Sequence, residues 1–172
     1  MAFPSSQSLL LASKLACLGA MVWSLPVVGQ SAVEHHIWQD QSTFKPMSRT
    51  AIAITGAIAL TGNPSFAEVG STTKISFDGG EPIELSSVGA SWRQWSLNGE
   101  TRTAEVFRLA SDPGTLRNGN ALCGDPVRYL VFSEGSVFGG DQVLEIAMFS
   151  SKKAPFDINS EGLCATFSYL VQ

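Results

Sequence analysis

Histidine is nearly absent from this sequence, and its scarcity limits the chemistry that the chain can perform. The 172 residues include two histidines, His35 and His36, and three cysteines. Both histidines precede residue 68, where we predict that the exported domain begins. That domain therefore cannot contain a Ser–His–Asp or Cys–His catalytic arrangement. Two adjacent histidines without further ligands also make a weak metal site. We predict no metal and no cofactor.

Clustered basic residues and nucleotide-binding motifs are also lacking. The formal net charge is −4, and from Glu68 onward 13 acidic residues face 8 basic ones. The one basic pair in this part, Lys152-Lys153, is too small for a nucleic-acid-binding patch. No phosphate-binding loop, dinucleotide fingerprint or zinc-protease motif occurs. We predict no nucleic-acid partner.

The stretch Met47–Ala67 has the pattern of a secretory signal peptide. Arg49 precedes an uncharged run, Ala51–Leu60, and small residues lead up to Ala67. A run of about ten residues is too short to cross a bilayer, which needs about 20. We predict cleavage between Ala67 and Glu68 and no membrane span in the mature form. The alternative is a buried, alanine-rich helix of a folded domain.

Residues 1–46 contain a second apolar stretch, Leu9–Gly29. It has the composition of a second signal or of a weak membrane anchor. Two signals in tandem make little physical sense, because the first would already direct the chain. We favour translation from Met47, with residues 1–46 as an upstream extension or a disordered leader. The predicted domains are thus 1–46, the signal peptide 47–67, and a single exported domain, 68–172.

The cysteines agree with an oxidising compartment. Cys17 precedes the predicted signal, which leaves Cys123 and Cys164 as an even pair. In a small exported domain such a pair is expected to form a disulfide, which stabilises the fold by about 4 kcal/mol in the chain-entropy model. We predict this disulfide and a periplasmic or secreted location. The alternative is a pair of buried free thiols in a cytosolic protein.

Short strand-like runs separated by turn residues fill the rest of the chain. Asp78-Gly79-Gly80 is typical of a hairpin turn, and Asn98-Gly99 of a two-residue type I′ turn. This spacing predicts an all-β fold, a small antiparallel sandwich or barrel of about seven strands with one disulfide. The predicted strands are Thr72–Phe77, Pro82–Leu85, Ser91–Leu97, Glu100–Leu109, Val127–Phe132, Gln142–Phe149 and Leu163–Val171.

A diffuse resemblance covers roughly residues 90–172. Leu122-Cys123-Gly124 and the terminal run Leu163-Cys164-Ala165-Thr166-Phe167-Ser168-Tyr169 resemble segments of uncharacterised small exported bacterial proteins. The resemblance implies export and carries no known activity.

Carboxylates are the remaining candidates for acid–base chemistry. Asp125, Glu134, Asp141 and Glu145 lie between the two paired cysteines, and Glu145 interrupts an apolar strand face. A glycosidase needs two carboxyl groups about 5–10 Å apart. The simpler interpretation of Glu145 is an exposed or salt-bridged acid. The loop Asp157–Gly162 matches the first half of a calcium loop but lacks the glutamate at its twelfth position, so we interpret it as a surface turn.

Aromatic side chains are the candidates for recognition. Trp92 and Trp95 are predicted to face opposite ways on one strand, so one of them is expected in the core and the other at the surface. Tyr129 and Phe138 are further candidates. We predict a non-enzymatic binding or inhibitor-type module for a protein or envelope component. The alternatives are a small hydrolase with paired carboxylates and an envelope structural or stress protein without a discrete site.

Overall fold

The chain folds into a closed antiparallel barrel. The computed structural model describes residues 34–137 and 140–172, which contain eight strands. Each strand pairs with the next along the chain, and the last pairs with the first. A 3-10 helix, Ile37–Gln39, precedes the first strand, and a short helix, α1 (Arg49–Ile54), follows it. The strands are β1 (Ser42–Pro46), β2 (Ile58–Thr61), β3 (Thr72–Phe77), β4 (Ile83–Gln94), β5 (Thr101–Leu109), β6 (Tyr129–Ser136), β7 (Gln142–Phe149) and β8 (Leu163–Val171).

The predicted all-β antiparallel fold is confirmed as a barrel. Strands β3, β7 and β8 have the predicted bounds. The predicted strands Pro82–Leu85 and Ser91–Leu97 are largely one long strand, β4. Two strands, β1 and β2, come from the region that the sequence pattern assigns to the leader and the signal peptide.

The stretch Met47–Ala67 is built into this barrel. Its first part forms α1, which the Ser48 side chain caps by accepting a hydrogen bond from the Ala51 N–H. Its second part forms β2, which pairs with β1 on one side and β3 on the other. The alternative interpretation, a helix of a folded domain with Ala51 buried, describes α1 well. Cleavage after Ala67 would remove β1 and β2 and leave the barrel open.

The domain boundary predicted at Glu68 does not coincide with the boundary of the folded unit. The compact unit that contains the barrel spans Val33–Gln172. Residues 37–46, predicted to be extension or leader, form the 3-10 helix and β1. The apolar stretch Leu9–Gly29 and Cys17 lie outside the described residues.

The two predicted hairpin turns differ in structure. Asp78 and Gly79 both have positive φ values, 46° and 68°, as a type I′ turn requires. At Asn98-Gly99 only Gly99 does, with a φ of 89°. Pairing between β4 and β5 stops at Gln94 and Thr101, so the two-residue turn predicted there is wrong. Side-chain hydrogen bonds of Asn98 hold the wider loop 95–100 instead, because they compete with a tight turn.

The predicted disulfide between Cys123 and Cys164 is confirmed. The two Cα atoms are 5.7 Å apart, and the residues are 41 positions apart in the sequence. The bond links the long connection between β5 and β6 to the start of β8. It therefore fastens an irregular segment of the chain to the barrel wall.

Alternating side chains of all eight strands fill the barrel interior, which we call the inner core. On β7, Leu144, Ile146 and Met148 point inward, as the alternation predicts. On β8, Phe167 and Tyr169 do the same. Ile37 and Trp38 of the 3-10 helix join this cluster and cover one end of the barrel, which we call the capped end.

A second apolar cluster, the outer core, lies on the outside of the barrel wall. It contains side chains of β5, β6 and β7 together with Trp95 and Ile158. The connection between β7 and β8, loop 150–162, folds back over these strands. The Ile158 N–H donates a hydrogen bond of 2.8 Å to the Gln94 carbonyl, which joins this loop to the end of β4.

The helices of the described residues are short. Within residues 34–137 and 140–172, no helix has the length and apolar character needed to cross a membrane.

Candidate functional site

The capped end holds a fully buried carboxylate, Glu105. Phe107 and Leu109 of β5 face the barrel interior. Glu105, two residues before Phe107, faces the same way and is buried. Its Oε2 accepts a hydrogen bond from the Trp38 indole at 2.8 Å. Its Oε1 accepts hydrogen bonds from the Ser87 hydroxyl at 2.5 Å and the Ala67 N–H at 3.2 Å. Three donors satisfy this carboxylate, so it secures the cap and offers no free atom to a ligand.

His36 is buried beside this network and stacks on Trp38, with 4.3 Å between the ring centres. Its two ring nitrogens lie 3.3 Å from carboxylate oxygens of Glu34 and Glu134. Neither approach has hydrogen-bond geometry, so both ring nitrogens are buried without a hydrogen-bond partner among the described residues. Glu134 also accepts a hydrogen bond of 2.7 Å from the Ile37 N–H. These contacts attach the 3-10 helix to the barrel rim.

The four candidate carboxylates are distributed over both faces of the barrel wall and both ends of the barrel. Glu134 pairs with Leu144 in the β6–β7 register, and Glu145 pairs with Ser133. Because side chains alternate along a strand, Glu134 faces the interior and Glu145 the outside of the wall. Asp125 and Asp141 lie in connections at opposite ends of the barrel. Glu134 and Glu145, the two of these acids on paired strands, therefore do not converge.

The aromatic candidates separate as the alternation predicts. Trp95 is buried in the outer core, at 3% exposure, and Trp92 is 64% exposed on β4. Tyr129 is buried in the outer core, where its hydroxyl lies 3.4 Å from the Lys152 carbonyl. It is therefore not available as a surface anchor. Phe138 lies outside the described residues.

A polar row crosses the outer wall of the barrel. Ser133 on β6, Glu145 on β7 and Ser168 on β8 are direct cross-strand neighbours. Neighbouring strands are about 4.8 Å apart, so the three side chains stand side by side on one face. Arg102 of β5 donates a hydrogen bond of 2.6 Å to Glu145 Oε2. Of the two states expected for Glu145, exposed or salt-bridged, the structure shows the salt bridge.

This row lies in a groove with a volume of about 210 Å³. Trp95, Ser96, Leu97 and Asn98 from the end of the β4–β5 hairpin line it, and Ile158 from the loop 150–162 contributes to its wall. The groove therefore combines a carboxylate and several hydroxyl groups with an apolar wall. Elements from three distant parts of the sequence meet there.

Arg102 shares its guanidinium between two carboxylates, Glu145 and Glu100. The hydrogen bond from Arg102 holds the pKa of Glu100 below its usual value. Burial acts to lower the pKa of Arg102, but its hydrogen bonds and charge interactions with both acids raise the pKa above its ordinary value. Arg102, Glu100 and Glu145 together carry one more negative charge than positive charge.

Gly135 makes room for this ion pair. A Cβ atom added to Gly135 would lie 2.9 Å from Glu145 Oε1 and 3.0 Å from an Arg102 guanidinium nitrogen. A side chain at this position would displace one of the two groups. The glycine is thus part of the local construction that holds Glu145.

Sequence reasoning singles out Glu145 but misses its surroundings. Arg102 lies 43 residues away, and the two serines look like ordinary strand positions. Once the strand register is known, Ser133 and Ser168 are identified as the cross-strand neighbours of Glu145. Glu105 carried a usable signal, because a charged residue at the same phase as Phe107 and Leu109 must face the interior.

Among residues 34–137 and 140–172, no group of three or more His, Cys, Asp or Glu side chains is arranged to hold a metal ion. The turn at Asp157–Gly162 is held by its own hydrogen bonds, with Asp157 Oδ1 accepting from the Asn159 N–H at 2.9 Å. Searches against protein-family models, curated proteins and solved structures give no match to this chain.

Proposed function

We propose that this protein is an exported, non-enzymatic binding module that holds a protein of the cell envelope through the β4–β5 hairpin. Trp92 carries the proposal: it lies on β4, paired with Thr103 of β5, yet 64% of it is exposed. Large aromatic side chains are frequent anchors of protein interfaces, because they bury much area for little conformational entropy. Leu97, at the tip of the same hairpin, is 70% exposed.

Contacts with the rest of the barrel hold the β4–β5 hairpin in place. Trp95 packs into the outer core, and the Ile158 N–H bonds to the Gln94 carbonyl. Arg102, near the start of β5, bonds to Glu145 on β7. A side chain presented by so fixed a support loses little freedom on binding, which favours affinity.

Binding is favoured over hydrolysis by the positions of the acids. Glu134 and Glu145, the two candidate carboxylates on paired strands, face opposite sides of the wall. A glycosidase-type mechanism needs both carboxyl groups in one cleft.

Export is supported by the disulfide, which suits an oxidising compartment. We propose a leader that ends before Glu34, since the barrel uses residues 37–67 for its cap, α1 and β2. The apolar run Leu9–Gly29 has a suitable composition.

Quantified recovery from a detergent-solubilised envelope fraction tests the binding proposal. Substitution of Trp92 by alanine is expected to lower recovery of the partner at least tenfold, because truncation of a central aromatic anchor costs about 2 kcal/mol or more. Ile52→Ala is the matched control, because Ile52 is 59% exposed and lies on α1 at the opposite end of the barrel. It is expected to leave recovery unchanged.

Equal recovery with Trp92→Ala and wild type would contradict the proposal. Absence of any partner would favour an envelope structural or stress protein. A turnover that disappears in Glu145→Gln would favour the hydrolase.

Mass spectrometry of the exported protein without reductant tests the compartment and the leader. The expected amino terminus lies upstream of Ile37, and the mass is lower than that of the reduced form by two hydrogens for the Cys123–Cys164 bond. An amino terminus at Glu68 would contradict the proposed leader, because that form lacks β1 and β2.

A further inference from the structure

We propose that the groove around Glu145 binds a primary ammonium group carried by a short, unbranched alkyl chain. The site is separate from Trp92, which does not line the groove. It therefore does not depend on the protein-binding proposal.

The polar row supplies acceptors for an ammonium group. Glu145 lies between Ser133 and Ser168 at directly paired positions of three neighbouring strands, so each serine is about 5 Å from Glu145 and the two serines are about 10 Å from each other. Glu145 uses Oε2 for Arg102, and within the described residues its Oε1 accepts no hydrogen bond. Nor do the hydroxyls of Ser133 and Ser168 bond to any described group. A primary ammonium carries three N–H donors, so one ammonium group can bond to Glu145 Oε1 and to the hydroxyl of Ser168, the more exposed of the two serines, and direct its third N–H to the solvent.

The charge of the cluster selects a cation. Glu100 and Glu145 bring two negative charges and Arg102 one positive charge. An ammonium group would neutralise the remaining negative charge, whereas an anion would be repelled by the free carboxylate oxygen of Glu145. Side-chain exposures of 30% for Glu145 and 16% for Arg102 place the charges partly out of water, where the attraction is stronger than at an open surface.

The remaining wall suits an alkyl chain. Trp95, Leu97 and Ile158 border the groove, and Val131 and Ala147 lie on the outer wall beside the polar row. Its volume of about 210 Å³ is below the range of about 300–1,000 Å³ typical of drug-sized ligands. Trp95 is almost fully buried, so its ring face is not free to stack on a sugar. The geometry favours a small aliphatic amine over a saccharide.

A titration of the full-length protein with n-butylammonium chloride, followed by two-dimensional NMR, tests the proposal. The expected result is saturable shifts of the Trp95 indole N–H and of the backbone amides of residues 133, 145 and 168. The isosteric neutral probe n-butanol and a methyl glucoside are titrated in parallel. Both are expected to bind at least tenfold more weakly, because a charge-assisted hydrogen bond to Glu145 is lost.

Three variants test the named groups. Glu145→Gln and Ser168→Ala are each expected to weaken n-butylammonium binding, Glu145→Gln by about tenfold or more. Ser133→Ala removes the buried hydroxyl on the other side of Glu145 and is expected to weaken n-butylammonium binding less than Ser168→Ala does. Glu84→Gln is the matched control, because Glu84 is an exposed acid on the wall strand β4, opposite Lys74. It is expected to bind like wild type.

Each contrary result overturns the proposal. Equal binding of n-butanol would identify a purely apolar groove, and tighter binding of the glucoside a polyol site. No saturable shift with n-butylammonium would exclude the amine. Trp92→Ala is expected to bind n-butylammonium normally, which keeps the outcome separate from that of the envelope pull-down.

Discussion

The inner and outer cores of this barrel are held together in different ways. The inner core is closed on all sides by eight strands and by the cap with Trp38. The outer core is a layer on the wall, and loop 150–162 and Trp95 cover it. Both are apolar, yet one cannot open without breaking the barrel, whereas the other opens when a loop lifts. The candidate groove borders the outer core, and the loop end of the β4–β5 hairpin packs into it through Trp95. The groove therefore depends on the less cooperative part of the molecule.

Truncation of one tryptophan in each core is the strongest test of this difference. Trp38→Ala is expected to lower the free energy of unfolding by about 3–5 kcal/mol, because it leaves a cavity and removes a donor from buried Glu105. Trp95→Ala is expected to cost about 1–3 kcal/mol, because the loss is limited by local opening of the outer layer. Urea unfolding measures both values, and limited proteolysis detects cleavage within loop 150–162.

Trp38→Phe is the control for the cavity, since it keeps much of the ring but removes the indole N–H. Its free energy of unfolding is expected to lie between those of wild type and Trp38→Ala. Equal costs for the two alanine variants, with loop 150–162 protected in both, would show that the cores unfold as one unit.

Alkaline pH provides a smaller test, directed at the inner core alone. Burial raises the pKa of Tyr169 above its usual value and outweighs the opposing effect of its 2.7 Å hydrogen bond to Thr55. Above pH about 10 the unfolded chain loses this proton while the folded protein keeps it. Stability therefore falls as pH rises, by up to about 1.4 kcal/mol per pH unit from this group. Tyr169→Phe is expected to remove this loss of stability at alkaline pH. Near pH 8 the variant is expected to have a free energy of unfolding lower than that of wild type by about 1 kcal/mol, because the hydrogen bond to Thr55 is lost.

Thr55→Val is the matched control, because it removes the hydrogen bond and keeps the phenol. It is expected to retain the alkaline loss of stability. If wild type and Tyr169→Phe lose stability in parallel between pH 9 and 11, measured by urea unfolding, the buried phenol is not responsible.

Much of the wall is predictable from local pattern. Ile75 and Phe77, like Phe167 and Tyr169, are apolar residues two positions apart, which indicates strands whose bounds the structure reproduces. Apolar residues on both faces of β7 are typical of a central strand or a closed barrel, and the two cores cover these faces. The even cysteine pair predicts the disulfide.

Local sequence pattern does not distinguish two structures when the same composition is compatible with both. The run Ala51–Leu60 is short, apolar and followed by small residues, which suits a signal peptide and equally suits α1 followed by β2. The distinction comes from partners: β2 pairs with β1 and β3, and nothing near residues 47–67 in the sequence specifies those contacts. The adjacent apolar residues Val106 and Phe107 pack into different cores, Val106 into the outer and Phe107 into the inner. They lie opposite an irregular register on β4, between Ser87 and Gly89, which local pattern does not specify.

The sequence by itself determined the all-β class, the disulfide and the opposite facing of Trp92 and Trp95, because these follow from periodicity and from counting cysteines. Only the tertiary structure decided that residues 42–61 complete the barrel and that Glu145 is paired with Arg102. It also decided that Ser133, Glu145 and Ser168 form one row. The reason is strand register, which joins residues far apart in the chain at spacings that no local pattern encodes.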